Sequence, residues 1–98
     1  MGIKLPPDQM ELYRRIDEIL WNEWDPIGVS GISGARDEYQ GYLPIVFRLA
    51  LEGSKERIAE YLLSVETENM GLGGDKQNCQ RIAGMVLKEK ANRIKRDP

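Results

Sequence analysis

Polar and aromatic side chains that could recognise another molecule are concentrated between residues 24 and 42. The set consists of Trp24, Asp25, Arg36, Asp37, Tyr39 and Tyr42. Tryptophan, tyrosine and arginine are enriched where protein interfaces gain most of their binding energy, because each buries a large surface and keeps a polar tip. The same side chains could instead be structural, with the aspartates bonding to backbone amides of turns and the aromatic rings completing a core. The sequence leaves both interpretations open.

The residue types needed for the commonest catalytic and metal sites are missing. The chain has no histidine and a single cysteine, Cys79. Without histidine, Ser-His and Cys-His nucleophilic mechanisms and zinc hydrolysis are excluded. One cysteine forms neither a disulfide within the chain nor a CxxC metal pair, so we expect Cys79 to be a small structural residue. We therefore predict no enzymatic activity, no catalytic residue, no metal site and no cofactor.

A small ligand-binding protein or enzyme centred on Asp25, Asp37 and Tyr42 is a weaker alternative, and it requires a concave pocket. Three glycines spaced three residues apart, from Gly28 to Gly34, could expose backbone amides to an anion. They lack the spacing of known phosphate-binding loops, and Asp37 would repel a phosphate at the helix start that we predict there. We do not favour a phosphate site.

Two further carboxylates, Glu66 and Glu68, lie near the C-terminal end of the third predicted helix, residues 54–70. They are two residues apart, so on a helix they point to different sides and cannot both face one reacting atom. We expect both to be solvated surface charges.

Charge is divided unevenly along the chain. Residues 1–74 hold 13 acidic and 7 basic residues, a balance of −6, whereas residues 75–98 hold 3 acidic and 7 basic residues, a balance of +4. A nucleic-acid accessory protein is therefore a second alternative, and its phosphate contacts would be Arg81, Lys88, Arg93, Lys95 and Arg96. The basic stretch contains no aromatic residue to stack on a base, and the chain as a whole has a net charge of −2. We expect nucleic acid not to be the partner.

The elements that must position these residues are helical. Asp8 and Glu11 form a D-x-x-E capping box that predicts a first helix over residues 8–25, which Pro26 ends. Its apolar stripe has the helical spacing and consists of Leu12, Tyr13, Ile16, Ile19, Leu20 and Trp24. The glycine-rich residues 26–36 predict a loop.

A second helix is predicted over residues 37–53, with Asp37 as its N-cap and Gly53 as its C-terminal glycine. Pro44 is the difficulty, because a proline in a helix interior removes a hydrogen bond and clashes with the preceding turn. Either the helix is kinked at Pro44 or residues 37–43 form a separate turn.

Two more helices are predicted over residues 54–70 and 75–96, with Ser54 and Asp75 as their N-caps. Short connections between successive helices favour antiparallel neighbours. We therefore predict an all-α fold, a compact bundle of three to four helices with one long glycine-rich loop, and we treat residues 1–98 as a single domain. Loops of about a dozen residues are uncommon in compact domains and are frequently functional.

Three motifs in this order resemble a known group of proteins. They are WDPIG at residues 24–28, DEYxxY at 37–42 and ETExMGL at 66–72. The chain is similar, over roughly residues 8–72, to an uncharacterised family of small bacterial all-helical proteins described as a domain of unknown function. The resemblance implies a bacterial cytoplasmic helical domain, some similar proteins being suspected of immunity-type roles beside toxins. It supplies no catalytic residues.

The function that we expect from the sequence is a small cytoplasmic protein-interaction module, immunity-like if the resemblance holds. It would bind a protein partner, or a second copy of itself, through the region 25–42. No apolar run approaches the roughly 20 residues that a membrane-spanning helix requires, so we expect no membrane association.

Overall fold

The computed structural model describes residues 5–94, which form four α-helices and no strand. The helices are α1 (Pro7–Ile19), α2 (Leu43–Glu52), α3 (Lys55–Ser64) and α4 (Lys76–Arg93). The prediction of an all-α bundle is confirmed. No helix within residues 5–94 has both the length and the apolar composition that crossing a bilayer demands.

Helices α1 and α4 lie antiparallel. Arg15 on α1 pairs with Glu89 near the C-terminal end of α4, with 3.3 Å between Nε and Oε2, and Arg81 near the start of α4 lies 3.4 Å from Glu23. Helix α3 packs against α4, and α2 packs against both α1 and α3. The buried positions that these helices share include Leu12, Ile16, Ile19, Val46, Leu49, Ala50, Ile58, Leu62, Cys79, Ile82, Ala83 and Val86.

Two of the predicted caps are present. The Ser54 hydroxyl accepts a hydrogen bond from the Arg57 amide at 3.3 Å, and the Asp75 carboxylate accepts one from the Asn78 amide at 3.0 Å. Gly53 ends α2 with φ 85°, a left-handed conformation that glycine adopts without steric cost.

The predicted start of the first helix is wrong. Pro6 occupies the cap position and Pro7 opens α1, where a proline costs nothing because the first amides of a helix have no partner inside it. Asp8 lies in the first turn, and among the described residues its carboxylate accepts only from the adjacent Gln9 amide, at 2.9 Å.

The predicted start of the second helix is also wrong. Helix α2 begins at Leu43 and Pro44 lies in its first turn, so the proline causes no kink. The preceding residues form a separate turn, the other possibility that the sequence allowed, with a 3₁₀ turn at Gln40–Tyr42. Asp37 is therefore not an N-cap.

Helices α1 and α3 both continue into π-helical turns, at Leu20–Trp24 and Val65–Asn69. In each turn the closing amide bonds five residues back, from Asp25 to the Leu20 carbonyl at 3.1 Å and from Met70 to the Val65 carbonyl at 3.0 Å. π-Helical turns are rare in proteins, and those that occur are often found at functional sites.

At the other end of the bundle, α4 ends at Arg93. Lys95 and Arg96, which the sequence analysis proposed as phosphate contacts, lie outside the described residues.

Candidate functional site

Asp25 fixes the backbone of the long loop. It is the only residue other than glycine with a positive φ, 32°, among residues 5–94. Its carboxylate accepts hydrogen bonds from the Val29 amide at 2.8 Å, the Ser30 amide at 3.2 Å and the Tyr39 hydroxyl at 2.6 Å. One side chain therefore folds the start of the loop back on itself and holds its far end.

Tyr39 is the second internal anchor of the loop. Its side chain is buried, and its ring centroid lies 5.3 Å from that of Trp24 and 6.1 Å from that of Trp21. The hydroxyl donates to Asp25 and accepts from the Ile27 amide at 3.3 Å. The phenol thus uses its apolar ring for packing and its polar tip for the loop backbone.

The two anchors have complementary protonation states. Burial favours a higher pKa for Asp25, but the hydrogen bonds from Tyr39 and from the two loop amides outweigh it and hold the pKa below its ordinary value of 3.8. Burial and the bond to Asp25 raise the pKa of Tyr39 above its ordinary 10. Near neutral pH, an ionised carboxylate therefore accepts from a protonated phenol, which is a charge-assisted hydrogen bond.

Arg36 ties the loop to α1. Its two terminal nitrogens donate to the two carboxylate oxygens of Asp17 at 3.1 and 3.0 Å. The guanidinium also lies 5.2 Å from the ring centroid of Trp21, within the range of a cation–π interaction. Arg36, predicted as a contact for a partner, is thus occupied within the chain.

Of the remaining predicted residues, Trp24 and Tyr42 are brought together and Asp37 stands apart from them. Trp24 and Tyr42 meet edge to face, with 6.0 Å between ring centroids. Asp37 is exposed, and its backbone carbonyl accepts from the Gln40 amide at 3.2 Å. Asp25 lines a cavity that Asp37 and Tyr42 do not share, so this cavity gives no support to a ligand or catalytic site built from these three.

Glu66 is the residue that the sequence analysis missed. We expected a solvated charge, yet its side chain is 3% exposed. Its carboxylate accepts from the Trp24 indole N–H at 2.7 Å, the Cys79 thiol at 3.2 Å and the Asp75 amide at 2.8 Å. It therefore ties together the end of α1, the end of α3 and the start of α4.

Cys79 is a buried donor to Glu66. Burial, and after it the contact with Glu66, raises the pKa of the thiol to about 12. A thiol that remains protonated donates a hydrogen bond and is a poor nucleophile. The prediction that Cys79 is structural agrees with this environment.

A cleft of about 420 Å³ lies between the start of the loop and the start of α4. Its lining includes Trp24, Pro26, Glu66, Leu72 and Asp75. Within residues 5–94, no group of three or more histidine, cysteine, aspartate or glutamate side chains is arranged to hold a metal ion.

Large apolar side chains are exposed beside this cleft and along the loop. Four such side chains are exposed within residues 5–94, and three belong to this end of the molecule: Ile27 at 40%, Ile32 at 56% and Leu72 at 36%. The fourth, Met10 at 55%, lies on α1. The sequence analysis did not select Ile27, Ile32 or Leu72, because isolated apolar residues in a glycine-rich segment follow no period.

Some of the basic residues proposed for nucleic-acid contact already form ion pairs and hydrogen bonds within the chain. Arg81 donates to the side chain and the backbone carbonyl of Glu23, at 3.4 and 3.3 Å, and Arg93 pairs with Glu89 at 3.1 Å. Lys88 is exposed. The cations of α4 therefore do not form one free stripe along the described part of the helix.

Comparison with protein-family models, with curated proteins and with solved structures finds no match for this chain. The resemblance to a family of unknown function stays a prediction. The residues that carry it nevertheless meet in space, since Trp24 bonds to Glu66 and Asp25 to Tyr39.

Proposed function

We propose that this protein is a protein-interaction module whose binding surface is the outer face of residues 25–42. The observation that carries the proposal is that Ile27 and Ile32 are exposed on a loop whose backbone is fixed from within by Asp25 and Tyr39. Exposed apolar side chains with a polar rim are typical of protein-binding sites. A loop that is already ordered loses less conformational entropy when it binds.

The proposal assigns different roles to two layers of the loop. Asp25, Arg36 and Tyr39 are positioning residues, because their polar atoms bond within the chain. Ile27 and Ile32 are the direct contacts, and the exposed Asp37 belongs to the polar rim. A protein partner is favoured over a small ligand because the exposed side chains of Ile27 and Ile32 do not line the cleft beside Pro26.

We also propose a cytoplasmic location. A buried thiol that donates to a carboxylate, as Cys79 does, is suited to a compartment that keeps cysteines reduced. An immunity-like role in a bacterium rests on the resemblance alone and is the finer form of the same proposal.

The test is affinity capture from a lysate of the cells that make the protein, followed by quantitative mass spectrometry. We expect Ile32→Ser to retain at least about fivefold less of the partner than the unaltered protein, since removing a central apolar contact costs more than about 1 kcal/mol of binding energy. The matched control is Met10→Ser, which removes an equally exposed apolar side chain from α1.

Equal capture by Ile32→Ser and Met10→Ser would contradict the proposal. If the partner is a second copy of the chain, the molar mass measured by light scattering will rise with protein concentration, and Ile32→Ser will suppress that rise.

A further inference from the structure

The end of the molecule that carries the loop has a concentrated negative charge. We define the loop end as residues 24–42 and 65–75, two segments joined by the hydrogen bond between Trp24 and Glu66. These segments contain six acidic residues, three in each, and one basic residue, Arg36. Their balance is −5, whereas the net charge of the whole chain is −2, so the rest of the chain carries +3.

The single cation of the loop end does not offset this charge at the surface. Arg36 is engaged by both carboxylate oxygens of Asp17, which belongs to α1. Asp37, Glu38, Glu68 and Asp75 are all exposed. A surface of one sign attracts and orients a partner of the opposite sign.

The cleft in the loop end suits a long cationic side chain. Pro26 and Leu72 are apolar residues of its lining, and Asp75 is an acidic one. Asp25 also lines it, but its carboxylate is bonded to two loop amides and to Tyr39. None of the described residues that line the cleft is a lysine or an arginine. Lysine and arginine side chains bury their methylene stems against apolar surface and keep the charged group near acceptors. Among residues 5–94, the Asp75 carboxylate accepts one hydrogen bond, from the Asn78 amide, and Asp75 is an exposed residue of the cleft lining.

We propose that the partner presents a basic segment to the loop end, with a lysine or arginine side chain in this cleft and apolar side chains against Ile27 and Leu72. This inference rests on the proposed function, because it takes the partner to be a protein. It adds the chemistry of that partner: apolar and cationic side chains side by side.

The probe that tests the inference is a labelled synthetic peptide of alternating lysine and leucine residues, compared with one in which glutamate replaces each lysine. Titrated into ¹⁵N-labelled protein, the lysine peptide should shift backbone amide resonances within residues 27–38 and 72–75 and leave those of α2 unchanged. Its affinity, followed by fluorescence anisotropy, should fall as salt is raised, because the charges lie at the surface. The glutamate peptide should not bind.

Asp75→Asn separates charge from structure at this site. Asparagine caps a helix about as well as aspartate, so the start of α4 should be preserved while the charge is lost. We expect the lysine peptide to bind this variant about two- to fivefold more weakly, the range for one exposed ion pair. The matched control is Asp8→Asn in the first turn of α1, which should leave the affinity unchanged.

The inference is overturned if the lysine peptide does not bind, if its shifts fall outside the loop end, or if Asp75→Asn binds as tightly as the control. Each of these results could occur while Ile32→Ser still abolishes capture, and the proposed function would then stand with a partner of different chemistry. The proposed function itself would be contradicted by a different result, namely capture of the partner that does not depend on Ile32.

Discussion

The loop end and the α3–α4 body of the bundle differ in which side chains they bury and which they expose. In the body, Ile58, Leu62 and Ile82 are buried completely and the charged side chains point outward. In the loop end, the Glu66 carboxylate is buried while Ile32 is more than half exposed. Both regions bury apolar side chains, but the loop end also buries a carboxylate and exposes large apolar side chains.

This difference separates two kinds of stabilisation. Burial of apolar surface has no preferred direction and depends on how much area is removed from water. A buried hydrogen bond requires a particular donor and acceptor at a particular distance, and a partner left unsatisfied costs about 1–3 kcal/mol. The loop end should therefore be sensitive to the removal of single polar atoms, whereas the body should respond to changes in volume.

The largest effect is expected for Glu66→Ala. The change leaves the Trp24 indole N–H, the Cys79 thiol and the Asp75 amide without their acceptor, and we expect it to lower the free energy of unfolding by about 2–4 kcal/mol. Urea denaturation followed by circular dichroism measures this quantity.

Glu68→Ala is the matched control, because Glu68 lies two residues away and is exposed. It should change the free energy of unfolding by no more than about 0.5 kcal/mol. If the two variants were equally stable, the buried carboxylate would contribute nothing and the contrast between the two regions would disappear.

A smaller effect is expected for Tyr39→Phe. Loss of the hydroxyl removes one donor from Asp25 and the acceptor of the Ile27 amide, at an expected cost of about 1–2 kcal/mol. The loop amides of Val29 and Ser30 should also exchange their hydrogens faster, which NMR can follow residue by residue. Tyr13→Phe serves as the control, since the ring contact of Tyr13 with Phe47, 5.0 Å between centroids, survives the change. Equal exchange in both variants would mean that the Tyr39 hydroxyl does not hold the loop.

The smallest effect is a pH dependence of the bond between Asp25 and Tyr39. Because the folded pKa of Asp25 lies below its ordinary 3.8, the stabilisation is present above that pH and is lost as the pH falls through the folded pKa. Because the pKa of Tyr39 lies above 10, stabilisation is likewise lost when the pH rises through that higher folded value. The stability difference between the unaltered protein and Tyr39→Phe should therefore be greatest between these limits and shrink on acidification, as urea midpoints measured across pH would reveal. A difference that grows towards low pH would contradict the assignment.

The helices could be predicted because the signals that define them, the spacing of apolar residues and the cap residues, lie close together in the sequence. The 3.6-residue period placed Leu12, Ile16 and Ile19 on one face, and all three are buried. The residue types of Ser54 and Asp75 predicted two helix caps, and both are present. The errors arose where two local signals competed. The cap signal of Asp37 suggested a helix start, but Pro44 lies in the first turn of α2 and the helix begins after Asp37.

The interior of the loop end could not be predicted because its hydrogen bonds join residues that are far apart in the sequence. Trp24 and Glu66 are 42 residues apart in the chain, and no local pattern pairs them. One signal was available: Glu66 lies four residues after Leu62 and eight after Ile58, so it falls on the apolar face of the third helix. A glutamate on such a face indicates a buried carboxylate that requires donors from elsewhere in the fold.

Trp24 belongs to the loop end, and Trp21, the other tryptophan of the chain, packs against Tyr39 of the loop end. Trp21 lies under the Arg36 guanidinium and Trp24 donates to Glu66, while the α3–α4 body contains no tryptophan. Indole emission therefore reports on this end alone, without a dye or a tag. A ligand that seats beside Trp24 and a denaturant that opens the bundle would act on the same fluorophores, and comparison with circular dichroism, which follows the helices of the body, distinguishes the two events.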